Sequence, residues 1–124
     1  MTKRRQTLGK TGEDFAAWLL EGLGYMVLER NWRSRYGEID LIARSQQGPL
    51  CFIEVRTRTS DTVGTALESL HPRKRARIAR RTLYYMAERG YNGAVRIDFI
   101  AHQLGEDGCW STVHVINAFG KGGR

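Results

Sequence analysis

Apolar side chains recur at helical spacing between about Lys10 and Leu23. They make one stripe along the segment, as in an amphipathic helix packed on a core: Phe15, Ala16, Leu19, Leu20 and Leu23. Gly22 and Gly24 are expected to end this helix. Residues 1–8 are polar and basic and are predicted to form a mobile arm.

Short apolar or alternating runs elsewhere in the chain predict five β-strands. Glycine, proline and asparagine, which favour turns, stand between them. A turn at 46–49 separates the second strand from the third and predicts a hairpin, and residues 31–36 are predicted to form a polar, basic turn. The predicted strands are Tyr25–Glu29, Gly37–Ala43, Leu50–Arg56, Ala94–Ala101 and Trp110–Ile116.

A second helix is predicted from Pro72 to about Glu88, and it is strongly basic. Its basic face is expected to point outward and to comprise Arg73, Arg77 and Arg80 together with Tyr84. The adjacent apolar face is expected to pack on the sheet and comprises Ala76, Ala79, Leu83, Met86 and Ala87.

The predicted order of elements is α-β-β-β-α-β-β. This order indicates the α/β class, with a central mixed sheet flanked by helices. A chain of 124 residues is expected to form a single domain with one core. That core is expected to span residues 9–118, and residues 119–124 are predicted to form a frayed tail.

The net charge of the chain indicates which class of partner it binds. Twenty Lys and Arg oppose thirteen Asp and Glu, which gives a formal net charge of +7. Such a basic domain favours anionic partners, above all nucleic acid, although an anionic membrane surface also fits. No apolar stretch has the length of a signal peptide or a membrane span, so a cytoplasmic protein is expected.

Seven basic residues are predicted to contact nucleic acid, because guanidinium and ammonium groups neutralise phosphates. Five lie on the second helix and two in the turn at 31–36: Arg73, Lys74, Arg77, Arg80, Arg81, Arg33 and Arg35. A merely solvated basic face is the alternative for the helix.

Two carboxylates interrupt strands that are otherwise apolar, Asp40 in the second strand and Glu54 in the third. A buried carboxylate costs several kcal/mol unless it is paired or bound to a cation. Neighbouring strands lie about 4.8 Å apart, so carboxylates on the same side of both can share one divalent cation. Asp40 and Glu54 are therefore predicted to bind Mg²⁺ or Mn²⁺, and Glu13 of the first helix is expected to assist.

Structural roles for these residues stay open at this point. Asp40 and Glu54 can instead form an ionic cluster with Arg56 and Arg96. Glu13 at a helix start can favour the helix dipole. Arg96 and Asp98 share one face of a strand, where an internal salt bridge is expected.

Four segments of the chain resemble the YraN-like family of predicted nucleases: GKTGEDFAAWLLEGLGY, RNWRSRYGEIDLIAR, FIEVRTR and VRIDFIA. The resemblance covers about residues 9–118. Archaeal Holliday-junction resolvases show a similar layout, and both groups belong to the restriction-endonuclease-like superfamily. The resemblance implies an αβββαβ core and catalytic roles for Glu13, Asp40, Glu54 and the residue at position 56.

Position 56 departs from the superfamily's usual E-x-K motif, which reads Glu54-Val55-Arg56 in this chain. A buried lysine can lose its proton, whereas an arginine effectively cannot. Arg56 is therefore expected to stabilise phosphate charge and not to act as a general base.

These features predict a Mg²⁺-dependent endonuclease that hydrolyses phosphodiester bonds in DNA, with a structured or branched form as substrate. RNA stays open as a substrate, no membrane partner is expected, and a symmetric dimer would suit a two-stranded substrate. The first alternative is a non-catalytic nucleic-acid-binding module with a degenerate nuclease fold. The second is a structural protein whose basic face meets an acidic protein or membrane.

Overall fold

The computed structural model describes residues 2–46, 48–59 and 72–118. Within them, two helices and five strands follow the predicted order, and the predicted α/β class is confirmed. The elements are α1 (Thr2–Gly22), β1 (Met26–Ser34), β2 (Gly37–Arg44), β3 (Leu50–Arg58), α2 (Pro72–Arg89), β4 (Val95–Leu104) and β5 (Trp110–Val115). None of the described helices is long and apolar enough to cross a membrane.

The five strands form one mixed sheet in the order β1-β2-β3-β4-β5. The pairs β1–β2, β2–β3 and β4–β5 are antiparallel, whereas β3 and β4 are parallel. The predicted hairpin of β2 and β3 is confirmed, with Leu41 opposite Ile53 and Arg44 opposite Leu50. Because parallel strands need a crossover connection, α2 lies between β3 and β4 in the chain.

The core lies on both faces of β3, which is buried from Leu50 to Val55. Alternation along the strands assigns side chains to the two faces. The α1 side contains Ala16, Ala17, Leu20, Leu41, Ala43, Cys51, Ile53, Val55 and Ile100. The α2 side contains Trp32, Ile39, Ile42, Leu50, Phe52 and Tyr85.

Helix α1 is longer than the sequence pattern predicted. It begins at Thr2 and not at Lys10, so residues 2–8, which were predicted as an arm, are helical. Lysine, arginine, glutamine and leucine in this stretch are all good helix formers, which accounts for the extension. Phe15 and Leu23 of the predicted stripe are exposed. The predicted tail, 119–124, lies outside the described residues.

The packed face of α2 also differs from the prediction. Leu83 is 64% exposed, and Ala76 and Ala87 are exposed as well. The buried side chains are instead Ile78, Thr82 and Tyr85. A large aromatic ring buries more area than leucine or alanine, and the Tyr85 ring meets Phe52 and Trp32 edge-on at 5.3 and 5.1 Å between centroids.

Strand β1 likewise continues to Ser34, so the predicted turn at 31–36 is confined to residues 35–36. Gly37 follows this turn with a φ of +122°, a conformation that L side chains rarely adopt. A Cβ at Gly37 would lie 2.4 Å from Arg81 Nε, so glycine also lets Arg81 approach the turn.

Candidate active site

Asp40 and Glu54 lie next to each other where the β2–β3 ladder ends. The last backbone pair of that ladder is Leu41 with Ile53, one residue short of both carboxylates. Beyond it, the backbone N–H of Val55 donates a hydrogen bond to Asp40 Oδ2 at 2.8 Å. The carboxylate thus replaces a main-chain acceptor, which fixes Asp40 against β3.

Glu54 is 6% exposed and has two cationic partners on one oxygen. Arg56 Nη1, two residues further along β3, lies 2.7 Å from Glu54 Oε2. Lys74 Nζ, from the start of α2, lies 3.2 Å from the same oxygen. The predicted pairing of Glu54 with Arg56 is therefore present, and Lys74 joins it.

The two carboxylates have raised pKa values for a shared reason. Burial, together with the neighbouring charge of Glu54, raises the pKa of Asp40 to about 8, although the Val55 N–H opposes the shift. Burial also raises the pKa of Glu54, against the opposing charges of Arg56 and Arg81. Two adjacent buried anions are therefore unfavourable without further positive charge.

The donor set fits a divalent cation that keeps part of its water shell. Asp40 Oδ1 and Glu54 Oε1 form no hydrogen bond or ion pair with any described residue. Residues 2–46, 48–59 and 72–118 contain no group of three acid, histidine or cysteine side chains placed to hold a metal. Mg²⁺ typically takes one or two carboxylates and several waters, so two carboxylate oxygens suffice for it.

Glu13 lies at the edge of this site. Burial raises the pKa of Glu13, a hydrogen bond with the Asn31 side chain opposes that shift, and the charge of Glu13 in turn raises the pKa of Asp40. Because α1 begins at Thr2, Glu13 is far from the helix start, and the helix-dipole explanation for it is wrong.

Asn31 was not predicted as a site residue. It has a φ of +54°, which is uncommon outside glycine. Strained backbone of this kind concentrates at functional sites, and asparagine tolerates it better than most residues. The available sequence signal was an asparagine, which favours a positive φ, directly before the strand-forming Trp32.

Arg96 belongs to a separate network around Asp98, and the predicted internal salt bridge is confirmed. Arg96 Nε and Nη2 lie 3.0 and 2.9 Å from the two oxygens of the fully buried Asp98. His114 Nε2 and the Asn117 N–H contact the same carboxylate at 2.9 and 2.8 Å. Although burial opposes it, hydrogen bonds from His114 and Arg96 lower the pKa of Asp98. Arg96 therefore does not pair with Asp40 or Glu54.

The seven basic residues predicted to bind nucleic acid divide into two groups. Five side chains are exposed: Arg33, Arg35, Arg73, Arg77 and Arg80. Two turn inward, because Lys74 contacts Glu54, and Arg81 donates hydrogen bonds to the carbonyl oxygens of Tyr36 at 2.8 Å and Glu38 at 3.2 Å. Arg81 therefore ties the β1–β2 turn to α2 beside the acidic site.

The chain has clear relatives along nearly its whole length. Residues 12–101 match the model of the family described as Uncharacterised protein family UPF0102. The UPF0102 protein of Moorella thermoacetica is 45% identical over 117 residues, covering 94% of this chain and 97% of its own. That of Mycolicibacterium vanbaalenii is 39% identical over 115 residues, with 92% and 94% covered. That of Trichlorobacter lovleyi is 40% identical over 119 residues, with 94% and 93% covered.

Proposed function

The chain belongs to the protein family UPF0102, and we propose that it is a Mg²⁺-dependent endonuclease acting on structured or branched DNA. The observation that carries this proposal is the pair of adjacent carboxylates, the half-buried Asp40 and the buried Glu54, flanked by Arg56 and Lys74. Adjacent acids beside exposed arginines match the needs of phosphodiester hydrolysis. Mn²⁺ would serve in place of Mg²⁺.

Asp40 and Glu54 would hold the cation, with Glu13 supporting them from α1. When bound, the cation polarises a phosphoryl oxygen and helps to generate hydroxide from water. The Val55 N–H keeps Asp40 oriented, since it occupies Oδ2 and leaves Oδ1 without a described partner. Because the pKa values of both carboxylates are raised, a bound cation would stabilise their ionised forms.

Arg56 and Lys74 supply the fixed positive charges of the site. Both contact Glu54 Oε2, so both lie where a phosphate beside this carboxylate would meet them. There they would stabilise the charge that develops on the phosphate during cleavage. Lys74 also offers, from α2, an ammonium group beside Glu54, whereas β3 has an arginine at position 56.

The exposed arginines of α2 would bind the DNA backbone beside the acids. Lys74 and Arg77 are one helical turn apart, so a strand that follows α2 reaches both the acidic site and the exposed face. Arg33 and Arg35 would extend this contact surface from β1 and the turn after it. A homodimer and a cytoplasmic location stay predictions.

A non-catalytic nucleic-acid-binding module is the second candidate. Two cations already neutralise Glu54, and the part of the chain that the structure describes holds no three-ligand metal group. Such a module would bind DNA in a salt-sensitive manner and cleave none of it.

Cleavage assays on duplex, single-stranded and branched DNA, with Mg²⁺ or Mn²⁺, separate the two candidates. We expect cleavage by the wild type and a loss of at least about 100-fold in Asp40→Asn and Glu54→Gln, the size of removing one group that stabilises a transition state. Asp107→Asn is the matched control, because Asp107 is an exposed acid in the β4–β5 turn. Cleavage retained by Asp40→Asn would refute the site, and binding without cleavage under either metal would establish the module.

A further inference from the structure

A pocket lies between the β1–β2 turn and the exposed face of α2, apart from the acidic site. Its volume is about 430 Å³, and it is lined by Arg35, Tyr36, Ala76, Arg77 and Arg80. It is open to solvent on one side, and three of its five lining residues are arginines. We call it the Tyr36 pocket.

The Tyr36 ring organises the arginines of this pocket. The guanidinium carbons of Arg80 and Arg35 lie 5.2 and 5.9 Å from the ring centroid, within the range of cation–π attraction. The ring is itself held by an edge contact with Tyr84, at 5.1 Å between centroids. Tyr84 in turn lies beside the buried Trp32, so the layer of guanidinium and aromatic planes rests on the core.

The Tyr36 pocket carries strong positive charge. Among residues 10–46, 48–59 and 73–118, no acid forms an ion pair with Arg35, Arg77 or Arg80. Guanidinium groups match phosphate oxygens in a bidentate manner. Aromatic rings and guanidinium planes are also the surfaces on which unstacked bases are held. The pocket therefore offers what a nucleotide needs, contacts for phosphate and a surface for a base.

The pocket adjoins the acidic site along α2. Arg77 and Arg80 follow Lys74 by about 4.5 and 9 Å along the helix axis, at about 1.5 Å per residue. Arg81 connects the two places, since it donates hydrogen bonds to the carbonyl oxygen of Tyr36 in the pocket and to that of Glu38, two residues before Asp40. A strand whose phosphodiester reaches Glu54 would therefore pass the Tyr36 pocket within a few nucleotides.

We propose that the Tyr36 pocket binds one unpaired nucleotide of a DNA strand whose neighbouring phosphodiester reaches Asp40 and Glu54. The base stacks on the layer of Tyr36 and the arginines, and Arg77 and Arg80 contact the phosphate. A base in a continuous duplex is already stacked and paired, so the pocket selects DNA with gaps, flaps or branches. The identity of the ligand rests on the proposed nuclease function.

Two pairs of variants test the pocket by DNA binding in EDTA, where no cleavage occurs. Ala76→Glu places a carboxylate in the pocket. Its control, Ala87→Glu, makes the same charge change on the same helix about 16 Å away. Both alanines are exposed, so both variants should fold. Tyr36→Leu removes the ring without a change of charge, and Tyr36→Phe keeps it. Fluorescence anisotropy measures the affinity for labelled oligothymidylate and for a duplex of equal length.

We expect Ala76→Glu to bind the single strand at least about 10-fold more weakly than Ala87→Glu, and Tyr36→Leu to bind it about 10-fold more weakly than Tyr36→Phe. Affinity for the duplex should be equal for Tyr36→Leu and Tyr36→Phe, and Ala76→Glu should lose more affinity for the single strand than for the duplex, in which only the backbone contacts of the neighbouring arginines are weakened. Equal single-strand affinities within both pairs would overturn the proposal. Binding is measured without metal, so its result does not depend on cleavage. If Ala76→Glu and Tyr36→Leu lose affinity for the single strand but the wild type cleaves no DNA, the nuclease proposal is refuted and the pocket proposal stands.

Discussion

Replacing Asp40 by asparagine tests whether the acidic site is strained without a cation. Burial and the charge of Glu54 raise the pKa of Asp40 from 3.8 to about 8. Asparagine keeps a side-chain oxygen that can accept the Val55 N–H, but it cannot ionise. We therefore expect Asp40→Asn to increase the free energy of unfolding of the metal-free protein.

The gain should grow with pH. Between pH 3.8 and about 8, the folded Asp40 holds a proton that the unfolded chain has released. This group therefore contributes stability that is complete below pH 3.8 and is lost as the pH rises to about 8. Each pKa unit is worth about 1.4 kcal/mol, which sets a ceiling of about 4 kcal/mol at neutral pH. Since Asp40 shares its charge interactions with Glu54 and keeps some contact with water, we expect about 2 kcal/mol.

Urea unfolding in EDTA, at several pH values from about 5 to 9, measures this difference. Asp98→Asn is the matched control and should lower the stability, because Asp98 has a lowered pKa and loses its pairing with Arg96 and His114. Added Mg²⁺ should stabilise the wild type and leave Asp40→Asn unchanged. A natively folded Asp40→Asn that is no more stable than the wild type at pH 8 would refute the reasoning.

Three further predictions concern packing and charge. Gly12→Ala should cost about 1–2 kcal/mol in thermal unfolding, because its Cβ would lie 2.1 Å from Thr57 Oγ1, whereas Gly22→Ala meets nothing within 4 Å and should be neutral or slightly stabilising. Ile78→Ala should lower the free energy of unfolding by about 2–4 kcal/mol because Ile78 is buried, and exposed Leu83→Gln should lower it by at most about 0.5 kcal/mol. The opposite order would support the apolar face that was predicted from the sequence. DNA affinity should fall steeply as salt rises, and a flat salt dependence would argue against backbone contacts by the arginines of α2.

The sequence was sufficient for the order of elements and for the closeness of Asp40 and Glu54. Both acids stand out because each interrupts an apolar strand, and strand alternation decides which face a residue occupies. It was not sufficient for the packed face of α2. The predicted apolar face was built around Leu83 and left out Ile78. In the structure, Tyr85 packs edge-on against Phe52 and donates a hydrogen bond to Glu29, 56 residues away, and these contacts turn the side of the helix that carries Ile78 towards the sheet.

Because the packed face of α2 was predicted wrongly, Lys74 was assigned to the DNA-binding surface and not to the acidic site. In a run of basic residues nothing local distinguishes the one that turns inward. The distinction comes from helical spacing on the correct face, because Lys74 lies one turn before Ile78, and Ile78 is buried. A wheel centred on Ile78 and Tyr85 would have directed Lys74 towards the sheet and thus towards Glu54.

The strand order also bears on how the chain folds. Every pairing in the sheet joins strands that are consecutive in the chain, and β1, β2 and β3 form a meander of local antiparallel contacts. Local contacts form early, whereas the parallel β3–β4 pair must wait for a long crossover. The contact of Asp40 with Val55 spans 15 residues within the meander, but Lys74 arrives only with α2. We therefore expect the two acids to meet in the folding chain before Lys74 joins Arg56 beside them.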